Sequence, residues 1–212
     1  MSYTHHQQYL TLHTFLAALE DADVPYPPDK NKKEIVRYFG ASALHTNHRG
    51  CTPLMRMASN GYDGLAKALL QIHPKAAKAV DTYGRPVWYY CVTRDPHPPA
   101  ANSIAHFRTL ISFHPLPNGD HPTHILARDF LTVEAHFKNE YKRCLFQFIK
   151  TPEDLLVSNA AGERVVDLLA QGMDAFTPSE QEFIQQALNE DQHRRLSAEI
   201  DAPARNAMAR KI

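Results

Sequence analysis

The side chains of this chain that could do chemistry are thirteen histidines, three cysteines and an aromatic run, Trp88-Tyr89-Tyr90. His121 and His124 stand at the i, i+3 spacing that lets two imidazoles share one helix face and one zinc ion. Pro122 argues instead that His121 opens a helix, and no cluster of Cys, Asp or Glu near it completes a ligand set. Cys91 beside histidines could be imagined as a nucleophile with its base, but a lone cysteine in an apolar run behaves as a small hydrophobe. No GxGxxG, GxxxxGK[ST], GxSxG or HExxH string occurs. The expectation is a protein without catalytic residues, cofactor or metal.

Composition narrows the classes further. Lys plus Arg and Asp plus Glu number 23 each, so no net field draws in nucleic acid or an anionic membrane. Cys51, Cys91 and Cys144 are widely spaced, which fits a reducing compartment better than a disulfide framework. The first two dozen residues lack a basic leader followed by an unbroken apolar core, and no stretch approaches bilayer length. A cytoplasmic protein with no nucleic-acid or membrane partner is expected.

Whatever these side chains do, the elements that hold them recur. Gly50, Gly84, Gly119 and Gly162 stand 34, 35 and 43 residues apart, the spacing of stacked supersecondary units. Eight residues after each comes Ala58, Val92, Ala127 or Ala170. In RGCTPLMRMASNG, Gly50 suits a turn, Thr52 a helix N-cap, Pro53 the first helical position and Gly61 a left-handed stop. A helix of two turns is marginal alone, so neighbours must hold it. LAKALLQIHP then reads as a second helix with Leu65, Ala68, Leu69 and Ile72 on one face. Leu110-Ile111-Ser112-Phe113-His114-Pro115 echoes its end and predicts a second-helix seam in the next unit.

These residues resemble the ankyrin repeat: Asn47 to Leu54 is similar to that family's opening turn and TPLH motif, with Met55 in place of its His, and Asn60-Gly61 and Leu69-Leu70 to its later landmarks. The resemblance implies an all-α, ankyrin-type helix-turn-helix repeat solenoid with helical caps and inserted loops. As one domain over 1–212 it would have capping helices within 1–46, units at 47–80, 81–117, 118–158 and 159–190, and a polar helical tail at 191–212. His124 would then be a structural histidine bonded between adjacent turns. Segments 94–103 and 132–143 would be insertions.

Function follows from the same resemblance. Ankyrin arrays grip partner proteins on turn tips and on the concave side of their first helices, which here implies Arg49, Ser59, Asn60, Tyr83, Arg85, Arg94, Asp120 and Arg128. Tyr89, next to core-assigned Trp88, joins them as the more exposed aromatic. The arginines and Tyr83 would form a basic and aromatic stripe suited to an acidic segment of another protein. The alternative is a bacterial effector, delivered to a host cytosol, whose activity or host-target contact sits in the inserted segments.

Overall fold

A computed structural model describes the backbone of residues 9, 11–21, 23, 25–93 and 99–209, and side chains as far as residue 197. The described residues are helical, with strand pairing limited to the isolated bridges Val80–Pro86 and Ser158–Arg164. The helices are α1 (Leu12–Glu20), α2 (Asp29–Phe39), α3 (Pro53–Asn60), α4 (Asp63–Ile72), α5 (Val87–Val92), α6 (Ala101–Arg108), α7 (Pro122–Thr132), α8 (Lys138–Leu145), α9 (Val165–Ala170) and α10 (Pro178–Ala209). They pack as two rows. One runs α1, α3, α5, α7, α9, each touching the next, and the other runs α2, α4, α6, α8. Hairpin contacts of α3 with α4, α5 with α6 and α7 with α8 join the rows, and α10 closes the far end on α9. No helix of the described residues is long and apolar enough to cross a membrane.

The short helix α3 has both ends fixed by its own sequence. Thr52 Oγ1 accepts the Met55 N–H at 3.3 Å, Pro53 occupies the first turn, and Gly61 at φ +71° ends the helix while the Tyr62 N–H reaches back to Met57 O at 2.9 Å. Leu54, Met55, Met57 and Ala58 are buried, so α3 is covered on the sides that face α1, α4 and α5. That coverage, not helix propensity, stabilises an eight-residue helix.

Four five-residue turns lead into the first-row helices: 47–51, 81–85, 116–120 and 159–163. In each the first residue's N–H donates to the fifth residue's carbonyl, and the Gly N–H donates to the first residue's carbonyl, at 2.8 to 3.0 Å. Asn47, Asp81 and Asn159 each accept two further turn N–H groups with a side-chain oxygen. The third turn therefore begins at Leu116, two residues before the boundary expected from the sequence, because Leu116 has no side-chain oxygen to mark it.

Turns are sewn to their neighbours at two of the three seams. The Thr82 N–H donates to Arg49 O at 3.3 Å and the Ala160 N–H to Asn118 O at 3.0 Å. The equivalent residue at the central seam is Pro117, which has no N–H to give. Glycine packing follows the same division. A Cβ on Gly119 would lie 2.5 Å from Ala160 N, whereas one on Gly84 would meet only Pro117 Cγ at 3.4 Å. Both residues have positive φ, so alanine is strained at either. Gly119→Ala is expected to cost about 3 kcal/mol and Gly84→Ala only about 1 kcal/mol in urea unfolding, the difference being the backbone collision. Equal losses would mean that the seams are alike.

Sequence expectations are refined in several places. The segment 132–143, read from the sequence as inserted, runs from the end of α7 through a short helical turn at Ala135–Phe137 into α8, which buries Tyr141, Lys142, Cys144 and Leu145 and packs on α6 and α7. Likewise α6 ends at Arg108, before the Leu110–Pro115 echo, which runs on outside the helix because the Thr109 hydroxyl bonds His106 O and Trp88 Nε1 holds His114 O at 2.8 Å. Of the segment 94–103, residues 94–98 lie outside the described residues and Ala101–Ser103 form the first turn of α6. At the C-terminus residues 191–195 are more than a tail, since Asp191 pairs with Arg164 and Arg195, and Arg194 with Glu153.

Candidate functional site

At the central seam, where Pro117 leaves the turns unsewn, a cleft of about 450 Å³ opens between the 81–85 and 116–120 turns and the helices α5 and α7 that follow them. One wall is Tyr83, Arg85, Tyr89 and Thr93, from the 81–85 turn and α5. The other is Leu116, Pro117, Asn118 and Asp120 from the next turn, with Ile125, Arg128 and Asp129 from α7. The α5–α7 contact is also the thinnest in the first row between α3 and α9.

The first wall is organised by a buried carboxylate. The Asp81 side chain is fully buried; its Oδ1 accepts the N–H groups of Tyr83 and Arg85, and its Oδ2 accepts Arg85 Nε at 2.6 Å and the Tyr90 hydroxyl at 2.7 Å. Burial pushes this carboxyl up, but the hydrogen bonds from Tyr90 and Arg85 outweigh burial and hold it below the usual Asp range. The Arg85 guanidinium lies 4.7 Å from the centre of the Tyr83 ring and 5.0 Å from that of Tyr89. Behind them Tyr90 Oη and Cys51 Sγ are 2.9 Å apart, which ties α5 to the first turn.

The second wall has its own ion pairs. Arg128 donates from both terminal nitrogens to Asp120 at 2.8 Å, and from Nε to Glu163 at 3.0 Å. Asp120 accepts Asn118 and Asn159 amides as well, and the Arg128 bonds above all hold its carboxyl far below the usual range. His124 is buried beside this network. Its Nδ1 accepts the His121 N–H at 3.2 Å, so the ring carries its proton on Nε2, which donates to Glu163 O at 3.1 Å. Burial pushes its pKa below the ordinary His value, which keeps the ring neutral. Among the described residues no three His, Cys, Asp or Glu side chains gather where they could hold a metal ion.

Asp129 differs from every other charged group in the cleft. It is half-buried and its carboxylate accepts no hydrogen bond from a described residue. Burial pushes its carboxyl above the usual Asp range, against the pull of the neighbouring Arg128 charge.

The structure thus brings together Tyr83, Arg85, Tyr89, Asp120 and Arg128 of the residues singled out from the sequence. Arg49 is exposed on the first turn, Ser59 is half-buried near the end of α3, and the Asn60 amide bonds Glu20 and the Arg56 carbonyl; none of the three lines the cleft. Arg94 lies outside the described residues. The expected basic stripe changes character, because the charges of Arg85 and Arg128 are offset by Asp81, Asp120 and Glu163 within the chain. Leu116, Pro117 and Ile125 were not foreseen as lining. Pro117 was legible in principle, since it stands where Thr82 and Ala160 stand in neighbouring turns. Neither a protein-family model nor a curated protein matches the chain.

Proposed function

We propose that this chain is an ankyrin-type repeat stack, with α1 and α2 capping one end and α10 the other, that acts as a non-enzymatic module binding a partner protein. The observation that carries this reading is the central cleft: it lies on the turn-tip side of the first-row helices, and five residues expected to contact a partner converge there. Tyr83 supports it further. Its side chain is among the most exposed large aromatics of the described residues, at 70%. An exposed aromatic flanked by a ready-made cavity is the arrangement from which interface anchors are drawn.

The alternative, an effector whose activity or host contact resides in 94–103 and 132–143, draws less support, since α8 commits its apolar side to the core.

The test is affinity capture from lysate of the source cells with the intact chain and with Tyr83→Ala. Tyr83 contributes little to the fold, so the variant should keep its unfolding midpoint. Its partner should bind about 30-fold more weakly, as for removal of an anchor near 2 kcal/mol. Capture of the same proteins at the same yield by both chains would remove this surface from consideration.

A further inference from the structure

We propose that the central cleft receives an arginine or lysine side chain of the partner, whose cationic head docks on Asp129 and whose aliphatic stem lies along Tyr89, Leu116 and Ile125. The inference rests on the reading of the cleft as a partner surface and reverses the charge expected of that partner from sequence.

The charges in and just behind the cleft are two arginines and four carboxylates: Arg85 and Arg128 against Asp81, Asp120, Asp129 and Glu163. Both arginines already hold carboxylates by charge-assisted bonds, and an acidic partner would have to displace Asp81 or Asp120 to reach them. Displacing Asp81 would leave a fully buried carboxylate without its cation, which is strongly unfavourable. What stays without a partner in the chain is Asp129, a half-buried carboxylate whose oxygens reach solvent and meet no donor among the described residues.

The remaining lining suits the stem of a long cationic side chain. Tyr83, Tyr89, Leu116, Pro117 and Ile125 present apolar surface in the same cleft as the carboxylate. Arginine and lysine bury their methylene stems against such surface while keeping the charged head on a polar partner. A short acidic side chain has neither the stem nor a vacant cation to meet. The loosened seam supplies the room: the Pro117 turn is not bonded to Tyr83, and the cleft between them holds about 450 Å³.

The test titrates the full-length chain, labelled for amide NMR, with three capped tripeptides, Ala-Arg-Ala, Ala-Glu-Ala and Ala-norleucine-Ala. The arginine peptide should shift the amides of Thr93, Asn118 and Asp129 with a Kd on the order of millimolar. The glutamate and norleucine peptides should bind at least tenfold more weakly. Asp129→Asn, which keeps the side chain's shape, should remove the preference for arginine over norleucine. Equal binding of the glutamate or norleucine peptide, an unchanged preference in Asp129→Asn, or no response to the arginine peptide would each overturn the inference. The peptide series on the unaltered chain decides the matter even if the variant is unstable. Partner capture that depends on Tyr83 would stand through such a failure, so the two proposals fail separately.

Discussion

Asp81→Ala is expected to destabilise the chain by about 3–5 kcal/mol, as for other buried ion pairs that lose one partner. The substitution removes an acceptor shared by two turn N–H groups, the Arg85 guanidinium and the Tyr90 hydroxyl, and leaves Arg85 facing three tyrosines with no counter-charge. Asp81→Asn separates the two parts of that cost. Asn47 and Asn159 occupy the same place in their turns and accept the same pair of N–H groups, so asparagine keeps the turn bonds and gives up the charge together with the Oδ2 acceptor of Arg85 and Tyr90. About 1–2 kcal/mol is expected for Asn. Urea unfolding at neutral pH measures both. Losses below about 1 kcal/mol for both variants would mean that the Asp81 network is not what fixes the wall of the cleft.

Local punctuation was legible from the residues and long-range charge pairing was not. Gly50, Thr52, Pro53 and Gly61 each act through their own backbone or the next turn of chain, so their roles can be read from type and order. The same holds for Thr177 and Glu180, whose reciprocal bonds, three residues apart, start α10. Arg85 and Arg128 read as free cations because their carboxylates become partners only when turn and helix fold: Asp81 is four residues from Arg85, Asp120 eight and Glu163 thirty-five from Arg128. The echo at Leu110–Pro115 misled for a related reason. Its apolar residues are covered as a helix face would be, with Ile111 buried and Leu110 and Phe113 packed on the core. Phe113 meets Trp88 and Phe148 from other elements, so periodicity could not show that α6 had already ended.

Trp88→Ala is the other large effect expected, at about 3–5 kcal/mol, the range for deleting a fully buried tryptophan. The indole sits on α5, stacks on Phe113 with ring centres 6.1 Å apart, and donates Nε1–H to His114 O. Phe113 in turn meets Phe148 at 5.1 Å, and the Arg108 guanidinium lies 5.3 Å from the Phe148 ring centre. One side chain therefore ties α5 to the segment that follows α6 and, through Phe113, to the segment that follows α8. Trp88→Phe keeps most of the apolar surface and removes the N–H, so a loss of about 1–2 kcal/mol is expected. The helices of each row touch mainly their neighbours, so a cut at this position acts beside the one of the three turn-to-turn seams that lacks a backbone bond among the described residues. The two halves should then unfold separately, which lowers the apparent urea dependence followed by circular dichroism as well as the midpoint. Trp88 is the chain's single tryptophan, so its fluorescence in the unaltered protein reports on the same junction. A loss under about 1.5 kcal/mol with unchanged urea dependence would show that the halves are coupled by contacts other than Trp88.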